Sequence, residues 1–211
     1  MIFLTRRGGK NSGGGSGGDS GIKYAAWLQS DGLQCIDIGF KPNQDTRVVV
    51  ECEPTETISG QQAVFGARNS NSGQATQAYG FNFMSSTSAR SDYMGGNATI
   101  SGTYSAGTRV SVDMNKNVCT VNGATGTISS RTGQSQYNLY LFNVNNFGTP
   151  HSTFGFKGKV ISCKVYDNGT LAHDVRPCYD DDGVACMYDK VEQKYYYNIG
   201  TGEFIAGEVL T

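Results

Sequence analysis

A chain of 211 residues suits one large all-β domain and is too short for two ordinary ones, and 37% hydrophobic residues suffice for one core. A formal charge of −1, from 17 Lys and Arg against 18 Asp and Glu, excludes bulk-charge attraction to nucleic acid or to an anionic membrane. Glycine is abundant at 29 and proline scarce at 4, with 12 Tyr and 10 Phe, a composition that favours short strands joined by tight turns.

The chain opens with Met1-Ile2-Phe3-Leu4-Thr5-Arg6-Arg7. Its apolar run is shorter than the roughly 7–15 residues of a secretory signal. No stretch approaches the roughly 20 apolar residues of a membrane helix. The expectation is a protein that stays in the cytosol that makes it or leaves by some other route, without membrane insertion. Residues 8–21 hold eight Gly and three Ser. Such a segment buries too little to fold and is expected to act as a tether, with a typical span of about 20 Å. The predicted organisation is an apolar-basic tip (1–7), a Gly/Ser-rich linker (8–21) and a β-sandwich domain (22–211). The tip reads as a docking peptide, because Ile2, Phe3 and Leu4 have no use in water. A plain tail is the alternative.

From Ile22 onward strand and turn signals alternate. Gln34–Phe40 sets Ile36, Ile38 and Phe40 on one face. Arg47–Glu53 sets Val48, Val50 and Cys52 against Arg47, Val49, Glu51 and Glu53. Arg109–Met114 and Lys159–Tyr166 alternate in the same way, as half-buried antiparallel strands do. Tyr137–Val144 is nearly all apolar and predicts a central strand covered on both faces. Asn122-Gly123, Asp167-Asn168-Gly169 and Asp182-Gly183 lie between such runs and suit tight hairpins. No segment longer than ten residues shows helical periodicity. The fold class expected is an antiparallel two-sheet β-sandwich or jelly roll.

The six cysteines are Cys35, Cys52, Cys119, Cys163, Cys178 and Cys186. No pair has the spacing of a zinc site, and most fall in strand-like runs where a thiol acts as a small core residue. Reduced thiols are expected; disulfides stay open, with a connectivity that sequence does not reveal.

Residues 27–51, WLQSDGLQCIDIGFKPNQDTRVVVE, resemble the opening of concanavalin A-like, laminin G-like jelly-roll domains found in bacteriophage structural proteins. Further matching stretches follow in order: VFGAR (64–68), GTRVSVDMNKNVCTVNG (107–123), YNLYLFNVNNFG (137–148), GKVISCKVYDNGTLAHDVRPC (158–178) and GVACMYDKVEQKYYYNIGTGEFIAG (183–207). Cys35 and Ile38 stand where Tyr and Thr are commoner. The resemblance implies a two-sheet jelly roll displayed on a virion, with carbohydrate or host-surface binding as its usual role. It also fits a chain without a signal, because virions assemble in the cytosol.

Glu51 and Glu53 share a strand face at about 6.5–7 Å, near the roughly 5–5.5 Å of a retaining glycosidase pair. Related jelly-roll hydrolases tend to carry a third acid in an E-x-D-x-E run; here the run is Glu51-Cys52-Glu53-Pro54-Thr55 and Pro54 suggests that the strand ends, so two solvated strand charges are the preferred reading. Asp180-Asp181-Asp182-Gly183 could offer oxygens to Ca²⁺ but lacks the EF-hand spacing, and a polar turn explains it as well. No cofactor is expected. His151 and His173 read as ordinary surface residues. Glycan recognition needs amides or guanidinium to bind hydroxyls and aromatics to stack on. Arg68, Asn82, Asn143, Asn145 and Asn146 are the candidates, against the simpler view that Asn-rich strand ends are turn chemistry.

The function expected is a non-enzymatic virion surface module binding a host-surface or mucin glycan. It would dock on a capsid or tail protein through Ile2, Phe3, Leu4, Arg6 and Arg7, as a homo-oligomer, plausibly a trimer, that gains avidity. Alternatives are a structural decoration or fibre protein and, more remotely, a glycoside hydrolase.

Overall fold

The computed structural model describes residues 21–69 and 77–211. The docking tip, most of the linker and Ser70, Asn71 and Ser72 of the loop after Arg68 therefore lie outside the described residues. Within them the chain forms β1 (Lys23–Tyr24), β2 (Leu28–Asp31), β3 (Ile36–Asp37), β4 (Thr46–Pro54), β5 (Gln62–Arg68), β6 (Tyr79–Ser85) and β7 (Ser88–Tyr93). It continues through β8 (Gly96–Ser101), β9 (Val110–Asn115), β10 (Val118–Val121), β11 (Ala124–Thr127), β12 (Tyr140–Leu141) and β13 (Val144–Asn146). The last strands are β14 (Thr149–Pro150), β15 (Lys157–Asp167), β16 (Thr170–Tyr179), β17 (Ala185–Asp189), β18 (Lys194–Tyr196) and β19 (Ile205–Ala206). No helix occurs among the described residues.

Two sheets result. The larger runs β11-β10-β9-β4-β15-β16-β17-β18, with β1 beside β16, β2 beside β15 and β19 beside β2. The smaller runs β14-β13-β5-β6-β7-β8, with β12 beside β5 and β3 beside β12. Nearly all ladders are antiparallel; β13 lies parallel to β5. This is the expected β-sandwich jelly roll.

Period-two alternation decides which faces meet. On β4, Val48, Val50 and Cys52 are fully buried while Arg47, Val49, Glu51 and Glu53 point away. On β6, Tyr79, Phe81 and Phe83 point inward and pack on Phe65, Tyr104 and Phe156. Each aromatic buried in this layer contributes about 1.5–3 kcal/mol by leaving water. The Tyr79 hydroxyl lies 3.1 Å from the carbonyl oxygens of both Thr46 and Met114, which share its one proton, and so ties the smaller sheet to β4 and β9 of the larger.

Hairpin chemistry matches the turn residues. Lys116, Asn122, Gly123, Asn168, Gly169 and Gly183 adopt positive φ at the turns that close these ladders. Glycine adopts that geometry freely because it has no Cβ, and asparagine tolerates it because its short polar side chain can bond nearby backbone.

Two expected strands are corrected. Gln34–Phe40 contributes only the two-residue β3, although Ile36 and Ile38 are buried as the alternation required. Tyr137–Val144 is not one central strand. Tyr140 and Leu141 run antiparallel to β5, Phe142 takes φ 69°, and the chain reverses so that Val144–Asn146 runs parallel to β5. Leu139, Tyr140, Leu141 and Phe142 are all buried, so the unbroken apolar run reports burial rather than extension.

Candidate functional site

The outward face of the smaller sheet carries a convergent group of polar side chains. Since Tyr79, Phe81 and Phe83 face the core, Gly80 and Asn82 face out. Their cross-strand partners on β7 are Asp92 and Arg90. Gly66 opposes Gly80 on β5, which places Arg68 on the same outward face. The backbones of β5 and β6 approach too closely for a side chain here: a Cβ on Gly80 would lie 2.7 Å from the Phe65 carbonyl oxygen. The two glycines leave a small depression of about 20 Å³, lined by Gln61, Arg68, Asn82, Asp92 and Val144. That is room for one water or one hydroxyl, not for a ring.

The groups around it are held by one another. Arg90 donates from Nε and Nη2 to Asp92 Oδ1 at 2.9 and 2.6 Å. Asn82 donates from Nδ2 to Asp92 Oδ2 at 3.2 Å, and Gln61 Nε2 donates to Asn82 Oδ1 at 3.2 Å. Arg68 Nε donates to Asn146 Oδ1 at 2.9 Å. Its guanidinium carbon lies 5.5 Å from the centre of the Phe154 ring, within cation–π range. His151 and Phe154 stack with centroids 3.7 Å apart and planes 7° from parallel. A fixed guanidinium, amides and a carboxylate thus stand beside an aromatic pair.

The electrostatics follow from burial. Burial raises the Asp92 carboxyl above its ordinary value despite Arg90, Arg68 and Asn82, which oppose the shift. Burial lowers Arg68, with Asp92 acting against the shift and Arg90 adding to it. His151 is lowered by burial and then by the Arg68 charge, which favours the neutral ring. Preorganised donors and acceptors with an aromatic platform can bind a polyhydroxylated ligand: hydroxyls to the polar groups, an apolar ring face to the aromatics.

Of the expected glycan residues, the structure brings Arg68, Asn82 and Asn146 into this cluster, where Asn82 is itself 5% exposed and bridges Gln61 to Asp92 from beneath rather than presenting its amide to solvent. Asn143 and Asn145 are corrected: they are 3% and 2% exposed and serve the loop. Asn143 donates to the His151 carbonyl and accepts from the Val144 amide; Asn145 donates to the Asn138 carbonyl and accepts from the Gly148 amide. Backbone groups of a reversing chain needed partners, and these side chains supply them. Sequence reasoning missed Arg90 and Asp92. The signal was present, since Ser88–Tyr93 alternates and puts both on the face opposite Ala89, Ser91 and Tyr93.

The other weighed residues lie elsewhere. Glu51 and Glu53 stand on the outward face of the larger sheet, and Glu53 accepts from Lys159 Nζ at 2.9 Å. Asp180 caps its own turn: Oδ1 accepts the Asp182 and Val184 amides and Oδ2 accepts the Tyr197 hydroxyl. His173 is not a surface residue and is corrected. It is 5% exposed, and its Nδ1 lies 2.6 Å from Oδ2 of the fully buried Asp189. Asp189 Oδ1 accepts the Asp174 and Val191 amides. Burial would raise that carboxyl, but His173 and the two amides outweigh it and hold it below its usual range. The pair pins β16, β17 and the turn after them. Glu192 is the third member of this group, and it accepts from Tyr196 at 2.6 Å and from Lys194 at 3.4 Å.

All six cysteines are buried. Burial pushes the thiols of Cys35, Cys119 and Cys163 up to about 12. Cys178 and Cys186 oppose each other across β16 and β17, with sulfurs 3.4 Å apart.

No family model and no curated protein matches the chain. Among solved structures, domains LG4-5 of the mouse laminin alpha1 chain superpose with a TM-score of 0.50 at 12% identity, over 90% of this chain and 47% of that one. The chain therefore spans about half the length of that neighbour. The likeness establishes the fold class, a concanavalin A-like, laminin G-like jelly-roll sandwich.

Proposed function

We propose that this chain is a lectin-like binding module without chemistry of its own, which takes a glycan on the outward face of its smaller sheet. The observation that carries the reading is the cluster of Arg68, Asn82, Arg90 and Asp92 beside the His151–Phe154 stack. The depression between Gly66 and Gly80 accepts one hydroxyl, and the sugar ring lies over the rim against Phe154. Glu51 and Glu53 support a non-enzymatic reading, because Glu53 is committed to Lys159 and the pair sits on the other sheet.

The ordered resemblance of residues 27–207 to phage structural domains supports a place on a virion. There the module would meet a host-surface or mucin glycan, with residues 1–7 attaching it to a capsid or tail protein and oligomerisation adding avidity. The test is a panel of immobilised glycans probed with wild-type protein and Arg68→Ala. The proposal requires selective binding that the substitution abolishes. Equal binding by both proteins, or hydrolysis of a panel member, overturns it.

A further inference from the structure

A second surface feature lies beside β16, β17 and β19 of the larger sheet and is independent of the glycan reading. A groove of about 550 Å³ is lined by Tyr179, Val184, Tyr197, Glu203, Phe204 and Ile205. That volume falls within the roughly 300–1,000 Å³ of ligand pockets. Its walls are unusually apolar for an open surface: Val184 is 50%, Tyr197 45% and Ile205 60% exposed. Exposed apolar walls of this kind mark an interaction site. We propose that in the free protein the groove is occupied by the chain's own Ile2, Phe3 and Leu4, with Arg6 and Arg7 against its acidic rim.

Three observations select that occupant. The first is where the chain enters the fold. Lys23 pairs with Tyr179 and Tyr24 with Cys178 in antiparallel register. Walking back from Tyr24 toward Gly21 therefore runs past Tyr179, a wall of the groove, and on toward the Asp180–Gly183 turn. Lys23 thus lies beside a wall of the groove.

The second is reach. Residues 8–20 number thirteen and are mostly Gly and Ser. A chain of that composition spans about 20 Å, enough to return an apolar tip to a groove beside its own root. Such a tether also gives an effective concentration in the millimolar range, so a weak contact suffices.

The third is charge. Asp181, Asp182 and Glu203 are exposed at or beside the groove, and Asp180 is already held by the turn and by Tyr197. The tip presents three apolar side chains followed, after Thr5, by two arginines. Apolar walls with an acidic rim complement that order. A particle protein that binds the same tip would have to draw it out of the groove.

The test uses the full chain with ¹³C-labelled methyl groups. Nuclear Overhauser contacts from the Phe3 ring to Val184 and Ile205 methyls are expected, unchanged over a tenfold dilution. A full-length variant with Ile2→Ser, Phe3→Ser and Leu4→Ser should lose them and shift those methyl signals, while the Val48 and Val50 methyls stay in place. Added peptide MIFLTRR should restore the shifts in the variant. Unshifted Val184 and Ile205 signals in the variant overturn the proposal. Contacts seen only between differently labelled copies overturn it too, because the occupant is then a second molecule's tip.

Discussion

Arg68 and Asn146 face each other in register across the parallel pairing of β5 and β13, and the Arg68 Nε donates to Asn146 Oδ1 at 2.9 Å. The bond exists because the chain reverses at Phe142, and it fixes the plane of the guanidinium beside Phe154. A lysine would keep the charge but lose the planar fork and the ring contact. Arg68→Lys should therefore weaken glycan binding about tenfold or more, the scale of one lost hydrogen bond to a charged group, with the midpoint of thermal unfolding nearly unchanged. Calorimetric titration of both proteins checks this; equal affinities would remove Arg68 from the site.

Asp92 holds two neighbours, Arg90 and Asn82. Its side chain is 17% exposed and that of Arg90 31%. Asp92→Ala leaves a largely buried guanidinium without its acceptor. The cost should be about 1–3 kcal/mol, discounted from a fully buried pair because solvent reaches Arg90. Urea unfolding of the variant reads the loss, and a change under 0.5 kcal/mol would mean that the ion pair is incidental.

His151 makes stability depend on pH in one direction. Its ordinary value is about 6.5, and burial together with Arg68 lowers it in the folded state. The unfolded chain then takes up the proton first. The stability is fully present above about pH 6.5 and is lost as the pH falls through that value toward the lower folded one. His151→Asn should flatten this part of the profile. Comparing wild type and variant at pH 7.5 and 5.5 isolates the effect, and parallel losses in both would assign it to other groups.

The six thiols should be reduced and shielded. Alkylation of native protein should label few of them, and alkylation after unfolding should give six labels by mass spectrometry. Recovery of four would reveal a disulfide, with Cys178 and Cys186 the first pair to examine because their sulfurs are 3.4 Å apart.

Much of the sandwich was legible because half-buried strands repeat every two residues. Val48, Val50 and Cys52, or Tyr79, Phe81 and Phe83, declare their faces without any tertiary information. The reversal within Tyr137–Val144 was not legible. A run of apolar residues reports burial, and nothing in it marks Phe142 for a left-handed backbone that bulky residues seldom adopt. The asparagines divided for a similar reason: Asn143 and Asn145 serve the backbone of that reversal, while Asn82 and Asn146 meet charged neighbours, and the four look alike in sequence. The burial of His173 is not legible in sequence because its partner, Asp189, is brought to it only by the pairing of β16 with β17. Arg90 and Asp92 were within reach of the same alternation argument that placed Asn82.

The outward face of the smaller sheet is the proposed glycan-binding surface. The most direct measurement is amide and side-chain shift mapping of ¹⁵N-labelled full chain titrated with the sugar selected from the panel. The largest changes should cluster at Arg68, Asn82, Arg90, Asp92 and the His151–Phe154 segment and saturate together, with the sugar unaltered. Changes confined to the groove around Val184 and Tyr197 or to the Glu51–Glu53 face, or conversion of the sugar during the titration, would contradict the account.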